Sequence, residues 1–470
     1  MEPNLNSLFR AYDIRGVYGK DFDDQFARDF GRSFVTWLSR SKKAARPELF
    51  VGQDVRPSSP PLTRSLIQGL MESGARVTDA GMVPTPVLYY LVWRYHKTGG
   101  VEVTASHNPA EYNGLKPAWN GIVLSKEEQQ QVRKILEKRS FKSGKGSLRK
   151  RKFEGEFLRH ATKGLKPGRP LKVVVDSGNG ACGPLALKML EKLGCKAIPL
   201  HCDPIPGFPN HQPDPLKAEN VADLRKKVVS THADLGIGFD GDGDRVAFID
   251  EKGGALSSDE SLVLFMRDLA GGSRFRKPYR VYYNILMSNA VPEEARKLGA
   301  KPVLMPVGHT YLQGAMFGRN SLVAGEASGH FFFKANGGYD DAFHAAARFI
   351  HYVASQNSPV SEIRRSIPRY YATPASYINC PDEKKFKVVE SIKHSLGKSY
   401  NTITIDGVRV ELMRSWGLLR PSNTNPQLSF RFEGETLEDL RAVYSLFNRE
   451  LIKYKLSLPK LETIVVPPLQ

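Results

Sequence analysis

A chain of 470 residues is longer than one hydrophobic core ordinarily serves, so three or four domains are expected. Apolar residues at 41% and charged residues at 25% fit a soluble globular protein, and no apolar run is long enough to span a bilayer. A formal net charge of +19 leaves nucleic acid, an anionic membrane or small anionic substrates as partners to be distinguished.

The first stretch, MEPNLNSLFRAYDIRG (Met1–Gly16), has no signal-peptide-like apolar core. Cys182, Cys195, Cys202 and Cys380 have neither zinc-site spacing nor the density of a disulfide framework, so a reducing cytoplasm is expected. LFVGQDVR (Leu49–Arg56) reads as an apolar strand and Pro61–Ala75 as the helix after it. In VTASHNPAEYNGLK (Val103–Lys116), Ser106 stands beside His107 and before Asn108-Pro109. These residues are turn formers, but the turn follows a strand-like VEVTA, and α/β sheets place ligand sites at carboxyl ends of strands. The basic stretch KSGKGSLRKRKFEG (Lys142–Gly155) reads as a solvated linker. No helix-turn-helix, zinc-finger or RNA-binding aromatic signature accompanies it, so neither nucleic acid nor a membrane is expected as a partner.

The strand, glycine turn and helix pattern returns in Leu171–Gly194 and in Tyr279–Gly299, which suggests a repeated architecture of α/β units. Within the first of these, Gly178, Gly180 and Gly183 have the G-x-G-x-x-G spacing, with Asp203 further on. That admits an NAD-dependent dehydrogenase, and equally a tightly packed strand-to-helix turn. GFDGDGDRVAFID (Gly238–Asp250) alternates Asp240, Asp242 and Asp244 with glycine. Spacing of two sends the three carboxylates to one side, where their repulsion calls for a hard cation such as Mg²⁺. An EF-hand loop also begins D-x-D-x-D, with Glu251 at its twelfth position, but Arg245 stands where its turn wants glycine and a strand follows; a solvated acidic turn is the other alternative.

VAGEASGHFFF (Val323–Phe333) sets Glu326, Ser328 and His330 at spacing two, suited to sugar hydroxyls or proton transfer. PVGHTY contributes Gly308 and His309. Asn401–Met413 alternates about Asp406-Gly407 as a hairpin, QLSFRFEG follows as a strand, and Thr436 caps a helix bearing Leu437, Leu440, Tyr444, Phe447 and Leu451. Between them, Gly417–Gly434 joins Arg420 to Ser422, Asn423 and Thr424 in a loop that suits a phosphate or is simply polar. Boundaries near residues 152, 254 and 367 divide the chain into units 1–152, 153–254, 255–366 and 367–470.

Taken together, FRAYDIRG, TASHNP, DGDGDR, GEASGH and RPSNTNP resemble the α-D-phosphohexomutase family in its phosphomannomutase/phosphoglucomutase branch, over nearly the whole chain. The resemblance implies three mixed α/β domains and a smaller C-terminal α+β domain around a central cleft. It implies that Ser106 is the phosphoserine and that Asp240, Asp242 and Asp244 bind Mg²⁺ with a phosphoserine oxygen. Glu326 and Ser328 would bind sugar hydroxyls, and Arg420, Ser422, Asn423 and Thr424 the phosphate that is not transferred. Tyr12 and Arg15 match an N-terminal motif near the active site, His107 and Arg245 flank the serine and metal motifs, and Lys116 and His330 match the acid/base candidates. The implied reaction interconverts a hexose 1-phosphate and 6-phosphate of mannose or glucose through a hexose 1,6-bisphosphate. One departure stands out: Leu286 in NILMS occupies the place of a family lysine that assists phosphosugar binding. A non-catalytic phosphosugar-binding protein is the reading this departure leaves open.

Overall fold

The stretch Leu49–Arg56 forms the strand Glu48–Gln53, and the apolar-periodic segment after it forms the helix Ser59–Glu72, with proline in its first turn. The computed structural model describes residues 5–9, 14–96, 98–271, 278–318, 320–422 and 426–466. Among these residues, four β-sheets follow one another along the chain.

The first three sheets share one design. In the second, Lys172–Asp176 lies between parallel neighbours Lys196–Leu200 and Leu235–Phe239, and Val246–Asp250 closes the edge antiparallel to the latter. In the third, Arg280–Asn284 lies between Lys301–Met305 and Ser321–Gly325, and Phe331–Phe333 closes the antiparallel edge. The first sheet contains the same four-strand order in Arg76–Met82, Glu48–Gln53, Gly99–Val103 and Tyr112–Trp119, extended by Ile14–Val17 at one side. The turn from the third strand of each set to its antiparallel fourth therefore recurs three times. Those turns hold Ser106, the Asp240–Asp244 run and the Glu326–His330 run.

The chain 142–155 differs from the expected linker. Ser147–Lys150 adds a parallel edge strand beside Arg76–Met82, with all four residues exposed. Its basic side chains suit a sheet edge that must not pair with another chain.

The fourth sheet is antiparallel. Asn401–Ile403, Val408–Glu411, Ser415–Pro421 and Gln427–Gly434 pair in sequence, and helices Asp382–Gly397 and Leu437–Ile452 supply its apolar cover. Thr436 and Asp439 form the reciprocal cap of the second helix. The expected four units share apolar interior: helix Thr85–Arg94 of the first, the second sheet and helix Ala342–Ser355 of the third lie in one continuous core. Phe248 and Phe349 stack across it with ring centroids 3.9 Å apart. No helix among the described residues is long and apolar enough to cross a membrane, and the four cysteines are unpaired.

Helix Asp24–Ser41 packs on Ser59–Glu72 at backbone distance. A β-carbon on Gly31 would lie 2.7 Å from the Leu66 carbonyl oxygen, and one on Gly69 would collide with the Arg28 carbonyl. Gly69→Ala is therefore expected to destabilise the protein by about 1–3 kcal/mol through overpacking, read as a lower midpoint in thermal or urea unfolding. An unchanged midpoint would show that the two helices separate at no cost.

Candidate active site

The strand Gly99–Val103 ends in a turn that puts Ser106 at φ 53°, a left-handed conformation uncommon outside glycine. Arg56 supports this turn. Its Nη2 donates to the carbonyl oxygens of Ser106 (2.8 Å) and Asn108 (2.7 Å), and its Nη1 to that of Tyr112 (2.9 Å) and to Pro109. Asp54 holds Arg56 Nε at 2.9 Å and accepts from the Thr104 hydroxyl at 2.7 Å. Arg15 adds a bond of 2.9 Å to Asn108 Oδ1 and one of 3.3 Å to the Ala105 carbonyl.

The Ser106 hydroxyl donates to Asp240 Oδ2 at 2.7 Å and lies 3.2 Å from His107 Nδ1. Burial, then the charges of Arg245 and Arg15, push His107 well below its ordinary value. His107 therefore offers a hydrogen bond here, not a charge.

Asp240, Asp242 and Asp244 are buried, and each offers an oxygen within 4.8 Å of the others. The glycines let the loop fold back, and Asp240 Oδ1 accepts from the Gly243 and Arg245 amides at 2.9 and 3.2 Å. Burial first, then Asp244 and Asp242, push the Asp240 carboxyl well above its ordinary value. Lys116 Nζ bridges Asp242 and Asp244, 2.6 Å from Oδ2 of each. Burial opposes charge on Lys116, but the two carboxylates outweigh it and raise its pKa well above the usual range. Oδ1 of Asp242 and Oδ1 of Asp244 remain buried without a hydrogen bond. A buried all-oxygen set with two such oxygens and one carboxyl starved of positive charge fits a divalent metal ion.

From the third unit, His330 Nε2 lies 3.4 Å from Asp244 Oδ1 and Nδ1 3.2 Å from Glu326 Oε2. Burial works against charge on the imidazole, but these carboxylates raise it to about 9. Glu326, opposed by burial, is pulled down to about 2 by His330 and the Gly308 amide. Its Oε1 accepts from Gly308 N at 2.8 Å and Asn284 Nδ2 at 3.3 Å, and the Ser328 hydroxyl lies 3.0 Å from His330 Nδ1. His309, beside His330 with ring centroids 5.6 Å apart, is lowered to about 4 by burial and then by His330. Arg245 Nε stands 3.8 Å from Asp244 Oδ1.

Arg420 belongs to the fourth sheet. Its Nε donates at 3.0 Å to Asp406 Oδ2, which also accepts from Val307 N at 3.0 Å, next to Gly308. Ser422 is buried at the end of the same strand and donates its amide to the Gln427 carbonyl. Tyr12, Asn423 and Thr424 lie outside the described residues. Residues of all four units thus meet in one polar network, with Arg420 joined to it through Asp406.

Several residues in and beside it carried no sequence signal. Arg56 and Asp54 close an unremarkable strand, and Thr85 holds Asp242 through its hydroxyl at 2.6 Å. Glu102 stands opposite Lys116 in the strand pair, buried, its carboxyl pushed well up by burial, Asp242 and Asp54. Asn284, two residues before Leu286, donates to Glu326 Oε1 at 3.3 Å. That leucine packs with Trp416 and Leu418 of the fourth sheet.

The glycine-rich turn faces the chain itself. A β-carbon on Gly180 would lie 2.6 Å from the Gly241 carbonyl oxygen, and one on Gly183 would meet the Cys202 carbonyl. The close approach these glycines permit is taken by the metal loop and the neighbouring strand end, which disfavours a dinucleotide there.

A serine turn, an acidic turn and a Glu-Ser-His turn thus stand on three repeats of one sheet, joined by a fourth antiparallel domain. Models of all four phosphoglucomutase/phosphomannomutase domains match, domain I over 6–143, II over 156–254, III over 257–371 and the C-terminal domain over 377–445. The chain belongs to the phosphoglucomutase/phosphomannomutase family. It is 38% identical over 457 residues to a phosphomannomutase/phosphoglucomutase of Pseudomonas aeruginosa, covering 96% of this chain and 97% of that one. A phosphoglucomutase of Neisseria meningitidis is 34% identical, over 94% and 95% of the two chains. The crystal structure of a phosphoglucomutase/phosphomannomutase family protein from Burkholderia thailandensis superposes with a TM-score of 0.88 at 33% identity, over 96% and 98%.

Removing one partner of a buried ion pair costs about 3–5 kcal/mol, because the other charge stays behind. Lys116→Met is therefore expected to melt well below the wild type in chelator, and Mg²⁺ is expected to raise its midpoint more than it raises the wild type's. Equal midpoints in chelator would mean that Asp242 and Asp244 need no counter-charge.

Proposed function

We propose that the chain interconverts hexose 1-phosphates and hexose 6-phosphates of glucose and mannose, with Ser106 carrying the phosphoryl group and a hexose 1,6-bisphosphate as intermediate. The observation that carries this reading is the Ser106 hydroxyl, 2.7 Å from one member of a buried three-carboxylate cluster. Asp240, Asp242 and Asp244 would hold Mg²⁺. Bound there, Mg²⁺ screens the phosphoryl charge and orients its oxygens.

The sugar hydroxyl attacks phosphorus, the bond from phosphorus to Ser106 Oγ breaks, and its electron pair stays on Oγ. The sugar hydroxyl loses its proton during transfer while Oγ takes one up to become the free serine hydroxyl, and the same exchange runs in reverse when the other phosphate hands its phosphoryl group back to Ser106. Lys116 suits this exchange because its proton is held by Asp242 and Asp244. Whatever positive charge those carboxylates share with another cation weakens that hold and brings the amine toward a working acid/base range. His330, tied to Asp244 and Glu326, is the second group able to hold a proton at the ring. Arg56 and Arg15 keep the serine turn in its left-handed form, and Arg420 and Ser422, with Asn423 and Thr424, suit the phosphate that stays on the sugar. Tyr12 is proposed near the same site on the resemblance alone. Phosphosugars suffice as partners, and unpaired cysteines suit a reducing cytoplasm.

Labelled hexose 1,6-bisphosphate is expected to leave label on the wild type and none on Ser106→Ala, which is also expected to lose mutase turnover. A fully active Ser106→Ala enzyme, or stable label elsewhere, would overturn the assignment.

Glucose and mannose differ at the 2-hydroxyl, whereas the family resemblance implies that Glu326 and Ser328 bind the 3- and 4-hydroxyls that both carry. A site that reads only shared groups discriminates poorly, so the two 1-phosphates are expected to have specificity constants within about a hundredfold of each other. Glu326→Ala is expected to depress both reactions by similar factors. Coupled assays with Mg²⁺ and trace bisphosphate decide this, and strict use of one sugar would show that another residue reads the 2-position.

A further inference from the structure

A second set of ligating side chains lies in the second unit, on residues the reaction above does not use. Asp176 ends the strand Lys172–Asp176, and His201 directly follows its parallel neighbour Lys196–Leu200. His211 comes from the loop that leads on toward helix Ala222–Thr231. Each of the three offers a ligand atom within 4.8 Å of the others. Asp176 is buried and both histidines are half-buried, so an ion could reach them from solvent.

The hydrogen bonds settle the tautomer of His211. Its Nδ1 lies 2.9 Å from the Gln212 carbonyl oxygen, which can only accept, so Nδ1 carries the hydrogen. Nε2 then points a lone pair at Asp176, 3.2 and 3.3 Å from its two carboxylate oxygens. A lone pair facing a carboxylate requires a cation between them, either a proton or a metal. An imidazole that donates its far N–H to a backbone carbonyl is also the usual support of a metal-bound histidine.

His201 separates the two possibilities. Its backbone is anchored independently of its ring: φ is 48°, and its carbonyl accepts from the Asn179 amide at 2.8 Å and the Ser177 hydroxyl at 2.9 Å. The ring stands edge-on to His211, with centroids 5.3 Å apart. His201 Nε2 is buried without a hydrogen bond. A proton shared by His211 and Asp176 leaves that nitrogen with nothing, whereas a metal ion uses all three side chains.

We propose that Asp176, His201 and His211 bind a late first-row divalent ion of the Zn²⁺ class, separate from the three-aspartate cluster. Two imidazoles and one carboxylate suit Zn²⁺, whereas an all-oxygen set suits Mg²⁺. Ligands about 2.0–2.1 Å from a tetrahedral ion stand roughly 3.4 Å apart. The His211–Asp176 separation already meets this, and the set closes with at most about 1.4 Å of further movement. The ion would pin the segment 202–215 to the ends of two strands. That segment places Phe208 against Arg56, whose guanidinium carbon is 5.1 Å from the ring centroid, and Pro213 against Gly241. It thus braces both the serine turn and the metal turn, and the site is structural.

The test uses the full chain, stripped with chelator and then saturated with Mg²⁺ to fill the aspartate cluster. Zn²⁺ titration by calorimetry is expected to give about one further equivalent per chain, with a rise in melting temperature. His201→Ala and His211→Ala are expected to weaken that binding at least as much as loss of a supporting hydrogen bond weakens a metal site, roughly 10- to 100-fold, and to abolish the thermal shift. Asp242→Asn is expected to retain it, which separates this site from the aspartate cluster. His201→Phe, which keeps the ring's bulk, covers the case in which alanine unfolds the loop, and it too should lose the ion. Absence of a further Zn²⁺ equivalent in the wild type, or wild-type affinity in His201→Phe and His211→Ala, would overturn the site and leave only an ion pair between His211 and Asp176.

Discussion

The structure depends on neutralising a group of carboxylates that one unit cannot neutralise alone. Asp240, Asp242 and Asp244 sit within a few ångströms of each other, away from water, and the second unit brings only Arg245 to them. Lys116 comes from the first unit and His330 from the third. Removing such charges from water costs several kcal/mol per ion unless partners are in place, so the acidic turn is stable only when its neighbours have docked. The shared apolar core favours the same docking without direction, whereas the charge pairs specify which turn meets which.

The repeated sheet order explains how three separate sequences reach one point. In each unit the third strand runs parallel to the first and the fourth returns antiparallel, so the intervening turn lies at a carboxyl end of the sheet. Open α/β sheets bind ligands at such ends, and here three of them converge. The fourth unit has no such turn and is tied on by other means. Arg409 donates to the Ile285 carbonyl at 2.9 Å, Arg431 to Asp259 at 2.8 Å and to the Leu286 carbonyl at 2.6 Å, and Arg420 reaches Asp406 beside Val307. Leu286, read from the sequence as a lost phosphate contact, is part of this seam: its side chain meets Trp416 and its carbonyl accepts from Arg431.

What the sequence made legible was local. The strand and helix periods, the Asp-Gly alternation and the cap at Thr436 are each set within a few residues, so they survive in a one-dimensional reading. Arg56 was not legible because its partners are backbone carbonyls of residues fifty positions away, which leave no mark on residue type. The edge strand Ser147–Lys150 was missed for a related reason: its arginine and lysine read as exposed, which they are, while its pairing is decided by the neighbouring strand. Gly180 and Gly183 looked like nucleotide glycines because the requirement is the same, a backbone with no β-carbon in the way. Only the three-dimensional neighbour distinguishes a pyrophosphate from the Gly241 carbonyl.

The net charge of +19 admits a simple account in which a positive cleft attracts phosphates. The site does not look like that. Several of its cations are already matched: Arg56 by Asp54, Lys116 by Asp242 and Asp244, His330 by Asp244 and Glu326, Arg420 by Asp406. A phosphoryl group on Ser106 would add up to about two negative charges beside three carboxylates, more than Lys116, His330 and Arg245 together offset. The pairing of Lys116 is therefore a resting arrangement. On the proposed reading, a divalent ion sharing the aspartates would weaken their hold on the ammonium and so ease the release of its proton. The same carboxylates that order the turn in the resting protein would then also set when the proposed acid/base lysine can act.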